Sequence, residues 1–437
     1  MTDLFRRLPA SCWSSREGEL VLEGMKVSDI AAQVGTPFYL YSAKRLRENW
    51  RTLADALTPL GVSIHYAMKA CANKAVVSIL AAEGAGADIV SGGELTRALG
   101  GGIAPSKVVF SGVGKTDAEI AQALKAGIHQ INAESYEELW RIDRIAGALG
   151  VVANVALRVN PDVDADTHAK ITTGKKDNKF GVDAHRLGRL DNELKAMAHL
   201  RLVGLAVHIG SQIMTTKPFE EAYGRMRRMV LAMRERGHTI ERLDLGGGFG
   251  IPYRNEQVPS AAEIAEVIRA TVGDLGCALA VEPGRSIVAD AGVLVTRVEF
   301  VKEGSDRAFA VVDAGMNDLV RPAMYDSHHD IVPVRLPAGD GELSVYDVVG
   351  PICESSDTFA KRRSLPRLVS GDLVVMATAG AYGATMASTY NARALVPEVL
   401  VDDGRFAVVR RRVSVEEQLG WEASPDWLAT PVGRRSG

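Results

Sequence analysis

The sequence predicts an α/β fold in which a TIM-like (β/α)8 barrel is combined with an antiparallel all-β domain formed by both chain ends. Three observations support this prediction. Short apolar segments alternate with helix-like segments eight times over roughly 250 residues, the usual length of such a barrel. Polar residues or glycines follow these apolar segments. After residue 285 the alternation stops, and strand-like segments broken by Gly, Asp and Asn take its place.

The barrel strands are predicted from short apolar runs that are rich in β-branched residues and bounded by turn residues. They cover residues 62–67, 87–90, 107–110, 129–131, 154–159, 202–207, 242–245 and 278–281. Helices are predicted between them at residues 73–83, 91–99, 117–126, 136–149, 219–236 and 261–275. The barrel domain is expected to span residues 39–285.

The all-β domain is predicted to combine residues 1–38 with residues 286–437. The first part contains a predicted strand at 20–22, a helix at 27–34 and a strand at 37–40. In the second part strands are predicted at residues 292–301, 307–312, 343–348, 373–377, 396–401 and 406–412. Because both ends would join one domain, the barrel would be inserted between them.

Composition describes an ordinary globular protein. Apolar residues make up 46% of the 437 residues and charged residues 24%, which is ample for two cores. Lys plus Arg (51) nearly balance Asp plus Glu (54), so neither nucleic acid nor an anionic membrane is an expected partner. The four cysteines form no Cys-x-x-Cys pair, and neither a signal peptide nor a membrane span is predicted. A cytoplasmic protein is expected.

Lys69 ends the first barrel strand, where a parallel barrel keeps its chemistry. A lysine in partly apolar surroundings is expected to have a lowered pKa and to suit Schiff-base chemistry. Taken alone, a lysine whose amine snorkels from a strand end is the commoner explanation. The residues that follow the other strands favour the functional explanation.

Three further strand ends carry groups that suit a phosphate-bearing cofactor. The run Gly246-Gly247-Gly248 allows backbone amides to approach an anion closely. Glu282, beside Arg285, offers a carboxylate that can keep a heterocyclic nitrogen protonated, although a structural Glu–Arg pair is the alternative. His208 can lie flat on a ring and Ser211 can reach a phosphate, although a histidine in such a place is more often a core residue.

Two loops of the β domain also carry candidate functional residues. Cys353 is flanked by acids and serines, which is an unusual setting for a buried cysteine, and Tyr382 presents a phenol in a Gly-Ala-Tyr-Gly loop. His328 and His329 have no accompanying ligands at metal spacing. They are predicted to lie in a solvated loop, and no metal site is expected.

Taken together, these residues resemble the fold type III pyridoxal-phosphate decarboxylases, and among them the enzymes that act on meso-2,6-diaminopimelate. The resemblance covers residues from about 20 to 421. Its motifs are Tyr66-Ala67-Met68-Lys69-Ala70, Ser91-Gly92-Gly93-Glu94-Leu95, Asn178-Lys179-Phe180-Gly181, His208-Ile209-Gly210-Ser211-Gln212, Gly246-Gly247-Gly248, Glu282-Pro283-Gly284-Arg285, Arg321-Pro322-Ala323-Met324-Tyr325, Cys353-Glu354-Ser355 and Gly380-Ala381-Tyr382. One departure is Cys71, where relatives often carry asparagine.

The resemblance implies a role for each motif. Pyridoxal 5'-phosphate would be bound by Lys69, Asp88, His208, Ser211, Gly246, Gly247, Gly248, Glu282, Pro283, Gly284, Arg285 and Tyr382. The substrate's distal amino-acid group would be bound by Arg285, Arg321, Tyr325, Glu354 and Tyr382. Lys69, His208 and Cys353 would be catalytic, with Lys69 linked to the cofactor. Cys353 would come from a partner subunit, which requires a homodimer with shared active sites, and residues 162–181 would form a lid.

The implied reaction is decarboxylation of meso-2,6-diaminopimelate to L-lysine and CO2, the last step of lysine biosynthesis. Arg285 and Arg321 suit a distal carboxylate, whereas ornithine would need acids at that place. Decarboxylation of another basic amino acid or of a carboxylated polyamine is one alternative, and an inactive regulatory homologue is another. A racemase is disfavoured by Glu282, and a Schiff-base aldolase needs neither the glycines nor the β domain.

Overall fold

The computed structural model describes residues 8–163, 180–183, 193–335 and 343–428. The described chain begins with a small antiparallel sheet of β1 (Trp13–Arg16), β2 (Glu19–Leu22) and β3 (Met25–Lys26). Helix α1 (Val27–Val34) and strand β4 (Phe38–Ser42) follow. The predicted helix at 27–34 is confirmed, and the two predicted strands overlap β2 and β4.

The central element is a closed barrel of parallel strands. The strands are β5 (Val62–Ala67), β6 (Gly86–Ile89), β7 (Val108–Phe110), β8 (Gln130–Ala133), β9 (Ala153–Asn160), β10 (Val182–Asp183), β11 (Leu200–Ala206), β12 (Arg242–Asp244) and β13 (Ala278–Val281). The two-residue β10 pairs with β9 beside the ring, and the pairing of β13 with β5 closes it. All eight predicted barrel strands are confirmed, with ends that differ by at most two residues.

Helices cover the outside of the barrel. They are α2 (Ala43–Leu57), α3 (Lys74–Ala82), α4 (Gly92–Gly100), α5 (Asp117–Ala126), α6 (Tyr136–Leu149), α7 (Lys217–Glu235), α8 (Ala261–Val272) and the short α9 (Arg285–Val288). The side chains of Ser91, Thr116, Ser135 and Ser260 cap four of them, each accepting a hydrogen bond from the amide three residues later. Some of the polar residues after the strands therefore begin helices and do not line a site.

The second domain is a mixed sheet. Its elements are β14 (Gly292–Lys302), β15 (Ala308–Val312), α10 (Arg321–Tyr325), β16 (Ile331–Pro333), β17 (Leu343–Val349), β18 (Thr358–Pro366), β19 (Leu373–Met376), β20 (Glu398–Asp402), β21 (Arg405–Arg410) and α11 (Val415–Leu419). The strand order is β18-β17-β15-β14-β4-β20-β21, and β19 joins β14 to β16. Both chain ends contribute, as predicted. Among the described helices, none is long and apolar enough to cross a membrane.

Four details of the second domain differ from the prediction. The pairs β15–β17 and β4–β20 are parallel, because long connections and not hairpins join these strands. Strand β18 was missed because Lys361, Arg362 and Arg363 give it the charge of a loop, yet charge is favoured on the edge strand that it forms. The short β16 was also missed. Strand β4 crosses the predicted boundary at residue 38, and the division of the chain at residues 38 and 285 stays a prediction.

Strand β4 separates two apolar cores. Phe38 and Leu40 pack into the core between the sheet and the N-terminal segment. Tyr39 and Tyr41, on the opposite face, belong to the main core that continues into the barrel. Because side chains alternate along a strand, β4 directs its tyrosines towards the barrel. The second domain thereby contacts the carboxyl end of β5.

Candidate active site

Lys69 lies in a 3-10 turn (Met68–Ala70) directly after β5. Its Nζ is 2.9 Å from Oδ2 of Asp88, which β6 places beside the end of β5. The Asp88 side chain is fully buried, whereas the Lys69 side chain keeps 35% of its surface exposed. Burial lowers the pKa of Lys69, but the charges of Asp88 and Glu282 outweigh it and raise the pKa above its usual value. The prediction of a lowered pKa is wrong, because the fold brings two carboxylates to the amine.

Glu282 follows β13 and is 5% exposed. Its Oε1 accepts hydrogen bonds from Ser111 Oγ at 3.4 Å and from Asn132 Nδ2 at 3.5 Å. Asn132 Nδ2 also donates to Asp244 Oδ2 at 2.8 Å. Burial raises the pKa of Glu282 well above its usual value, and the carboxylates of Asp244 and Asp88 raise it further. Glu282 therefore binds a proton more tightly than an ordinary carboxylate.

The glycine run after β12 forms a tight turn against neighbouring backbone. A Cβ on Gly246, Gly247 or Gly248 would lie 2.1–2.3 Å from a backbone carbonyl oxygen. The Gly247 amide donates to Nδ1 of His208 at 3.2 Å, which fixes the imidazole beside the turn. Burial and the charges of Lys69 and then Arg158 hold the pKa of His208 well below its usual value. His208 is therefore neutral at physiological pH.

We expect the substitution Gly247→Ala to destabilise the protein by about 1–3 kcal/mol, because its Cβ would meet the carbonyl oxygen of Glu282 at 2.1 Å. Affinity for the pyridoxal cofactor that the resemblance implies should fall with it, and thermal unfolding and cofactor titration measure both. Gly224→Ala in α7 is the matched control, since its Cβ would meet nothing within 4 Å and a helix-interior alanine stabilises by roughly 0.5–1 kcal/mol. Wild-type stability in Gly247→Ala would contradict the close approach.

Arg285 begins α9 and is 7% exposed. Its two terminal nitrogens donate to Tyr253 Oη at 2.7 Å and to Ser211 Oγ at 2.9 Å. The guanidinium carbon lies 4.8 Å from the ring centroid of Tyr382, a cation–π distance. The Nε of Arg285 is buried and has no hydrogen-bond partner within the described part of the chain. This arginine therefore keeps a donor available for a ligand.

The turn that carries Lys69 is packed between two other loops. A Cβ on Gly284 would lie 3.1 Å from Cβ of Ala67 and of Ala70. The Pro283 carbonyl accepts from the Ala67 amide at 3.0 Å, and the Tyr382 amide donates to the Ala70 carbonyl at 2.8 Å. Both the loop that follows β13 and the second domain therefore hold this turn.

Arg321 opens α10 and is 5% exposed. It hydrogen-bonds to His329 Nε2 at 3.0 Å and to Ser327 Oγ at 3.2 Å. Burial lowers the pKa of His329 to about 3, and the charge of Arg321 adds to this effect. His329 is 1% exposed, so its predicted place in a solvated loop is wrong. The hydrogen bond from Arg321 to the neutral imidazole holds His329 in the protein interior.

Tyr253 was missed by the sequence reasoning, although it touches both arginines. Its ring lies 4.8 Å from the guanidinium carbon of Arg321 and 5.9 Å from that of Arg285. The only signal available was its position in the loop that continues from the glycine run. Tyr325 is half-buried and lies near Arg285. Burial lowers the pKa of Arg285, but the neighbouring phenols of Tyr253, Tyr382 and, to a smaller extent, Tyr325 raise it above its usual value.

Cys353 and Glu354 lie in an exposed loop of the second domain. The Cys353 amide donates to Asn391 Oδ1, and Glu354 accepts from the hydroxyls of Tyr390 and Ser356. The loop and α10 border one cavity of about 580 Å³, lined among others by Pro322, Ala323, Ser327, Ser355 and Ser356. The predicted lid, residues 162–181, lies largely outside the described residues.

Most of the predicted site residues do converge on the carboxyl end of the barrel. They are Lys69, Asp88, His208, Ser211, Gly246, Gly247, Gly248, Glu282, Pro283, Gly284, Arg285, Arg321, Tyr325 and Tyr382. A lysine amine, a proton-binding carboxyl and two buried arginines can thus act on one small anionic molecule.

Comparisons with known proteins agree with this arrangement. Residues 43–289 match the family model described as pyridoxal-dependent decarboxylase, pyridoxal binding domain. A diaminopimelate decarboxylase of Pseudomonas aeruginosa is 47% identical over 94% of this chain and 98% of its own. One of Zymomonas mobilis is 44% identical over 95% and 99%. The crystal structure of the Helicobacter pylori diaminopimelate decarboxylase complexed with L-lysine is 40% identical, with a TM-score of 0.86 over 90% of this chain and 98% of that chain. The chain belongs to the diaminopimelate decarboxylase family of the pyridoxal-dependent decarboxylases.

Proposed function

We propose that this protein converts meso-2,6-diaminopimelate to L-lysine and CO2, with pyridoxal 5'-phosphate as cofactor. In a chain of this family, the observation that carries the proposal is the pair of buried arginines, Arg285 and Arg321, which both contact Tyr253. Each buried guanidinium needs an anionic or aromatic partner. A substrate with a second amino-acid group brings such an anion.

The residues present fit pyridoxal 5'-phosphate. Asp88 Oδ1 and Arg285 Nε are buried and lack hydrogen-bond partners among the described residues, which leaves one acceptor and one donor for a ligand. Lys69 supplies the amine that an aldehyde requires. Ser211 and the glycine turn would hold the phosphate, and the neutral imidazole of His208 would lie on the ring.

When bound, the cofactor withdraws the electron pair that remains on the substrate's α-carbon after CO2 leaves. Glu282 would share its proton with the ring nitrogen, and its raised pKa makes that proton available near neutral pH. Asn132 and Ser111 orient the same carboxyl oxygen. A proton donor would then supply the α-carbon with the proton that replaces CO2, and the thiol of Cys353 is the donor proposed below.

The substitution Glu282→Gln should abolish most of the activity yet stabilise the cofactor-free protein. Because the folded-state pKa of Glu282 is raised, the free energy of unfolding falls as pH rises above the unfolded-state value of about 4.3. The isosteric amide removes this cost, so the variant's advantage in melting temperature should grow from pH 4 towards pH 8. An advantage that is the same at every pH would contradict the raised pKa.

The distal end of the substrate would be bound by Arg285, Arg321 and Tyr325. Arginine binds a carboxylate in two-point geometry, which favours diaminopimelate over a substrate whose far end is only an amine. The distal ammonium of the substrate would be bound by the exposed Glu354 of the partner subunit. This assignment distinguishes the proposed substrate from lysine and ornithine.

We further propose a homodimer with shared active sites. Cys353 is free and exposed on its own chain, and its amide donates to Asn391 of the second domain, so we assign the thiol that protonates the α-carbon to the partner subunit's Cys353. A cytoplasmic location is part of the proposal, because all four cysteines are free in the structure.

The direct test follows CO2 release from the purified protein supplied with pyridoxal 5'-phosphate. Release from meso-2,6-diaminopimelate, with little from L-lysine or L-ornithine, is the expected result. Release from ornithine or lysine at a similar rate would overturn the substrate assignment. Binding of the cofactor without release from any of the three would overturn the activity.

A further inference from the structure

We propose that Glu398 is a positioning residue for Lys69, although it belongs to the second domain. Glu398 begins β20 and is 2% exposed. A carboxylate so deeply buried needs several donors to offset its lost hydration. The donors that surround Glu398 lie on both domains, and one of them borders the turn that carries Lys69.

Three donors bind the Glu398 carboxylate. Oε2 accepts from the Tyr41 hydroxyl at 2.8 Å, and Oε1 accepts from Asn73 Nδ2 at 2.9 Å. Oε1 also lies 3.1 Å from a terminal nitrogen of Arg410, on the neighbouring strand β21. Tyr41 and Arg410 belong to the same sheet as Glu398. Asn73 belongs to the barrel, so its hydrogen bond crosses between the domains.

Asn73 closes the segment that contains Lys69. Its Oδ1 accepts from the Ala75 amide at 2.9 Å and caps α3, while its Nδ2 reaches Glu398. Only Ala70, Cys71 and Ala72 separate Lys69 from Asn73. Strand β5 ends at Ala67 and α3 begins at Lys74, so both ends of this short connection are held by regular structure.

The sheet meets the same connection at a second point. The Cys71 thiol lies 3.8 Å from the Tyr41 hydroxyl that Glu398 binds, and the Cys71 carbonyl accepts from Tyr66 Oη at 2.8 Å. Glu398 thereby fixes two groups that follow Lys69 within four residues. Loss of the carboxylate would leave Asn73 and Tyr41 as buried donors with no acceptor, and the connection would relax. The amine of Lys69 would move relative to Asp88.

The inference rests on the proposed function only in taking Lys69 as the lysine that binds the cofactor. Asn73→Ser is the sharpest variant, because serine still caps α3 but does not reach Glu398. Glu398→Ala removes the carboxylate, and Glu398→Gln retains one acceptor for Asn73 as the conservative rescue. Asp402→Asn is the matched control: Asp402 ends the same strand and also binds the barrel, through Arg47 at 2.8 Å on α2, away from Lys69.

The holoenzyme of each variant is measured at a temperature where it is fully folded. We expect Asn73→Ser and Glu398→Ala to lower kcat by on the order of 10- to 100-fold with little change in KM, as for a displaced catalytic group. The pH at which the visible absorbance of the bound cofactor titrates should shift in both. Glu398→Gln should restore most of kcat, and Asp402→Asn should match the wild type.

A folded Asn73→Ser with wild-type kcat and titration would overturn the inference, as would Asp402→Asn with the same changes as Asn73→Ser. The absorbance titration does not depend on the substrate. A wild-type protein that binds the cofactor but releases no CO2 would therefore overturn the proposed function alone, while a shifted titration in Asn73→Ser would still support the role of Glu398.

Discussion

Replacing Lys69 with alanine is expected to reduce CO2 release from meso-2,6-diaminopimelate by several orders of magnitude, as in other enzymes that lose their nucleophile. The visible absorbance of the bound cofactor should disappear with it, because no other amine of the described site lies beside Asp88. Purified Lys69→Ala is compared with the wild type by CO2 release and by its absorption spectrum.

Lys74→Ala is the control, since Lys74 is exposed at the start of α3 and is not part of the site. Retained absorbance in Lys69→Ala would show that a different lysine binds the cofactor. Mixing Lys69→Ala with Cys353→Ala then tests the shared sites, because a hybrid dimer contains one site with both residues intact. Part of the activity should return, and its failure to return would contradict the proposed dimer.

The second large effect is expected at Arg321. Truncating one member of a buried hydrogen-bonded charge pair costs about 2–5 kcal/mol, so Arg321→Ala should lower kcat/KM for meso-2,6-diaminopimelate by roughly 30- to 5000-fold. The slow reaction with L-lysine, which has no distal carboxylate, should change little. Steady-state kinetics with both substrates give this comparison directly.

Arg321→Ala also removes hydrogen bonds to His329 and Ser327, so some loss of stability is expected. Arg363→Ala controls for that loss, because Arg363 is a partly buried arginine that binds Asp330, just before β16, at 2.7 Å. It should lower the melting temperature without lowering kcat/KM for diaminopimelate. Intact activity in Arg321→Ala would show that the distal group binds elsewhere.

The strands of the barrel could be predicted closely because their signal is local. Each of the eight is a short apolar run between turn residues, and the structure shifts their ends by at most two residues. Strand β18 shows the limit of this reasoning. Its positive charge is typical of a loop, and only its place at the sheet edge makes a charged strand favourable.

The environments of the side chains could not be predicted in the same way. Lys69 was expected to have a lowered pKa, but Asp88 and Glu282 approach it from other strands. His329 was expected in solvent and is buried against Arg321. Tyr253 carried no signal of its own. In each case the environment of the side chain depends on a tertiary contact, which no local sequence pattern reveals.

By itself the sequence determined which residue types end the barrel strands, because the apolar period and the polar positions after it are local properties. It therefore predicted the lysine, the glycine turn, Glu282 and Arg285 as site residues, whereas Arg321 of the second domain came only from the resemblance. Tertiary structure alone decided how these groups act on one another. The ring closure that pairs β13 with β5, and the sheet that sets Glu398 against Asn73, fix distances between groups far apart in the chain, and electrostatic and hydrogen-bond energies depend on those distances.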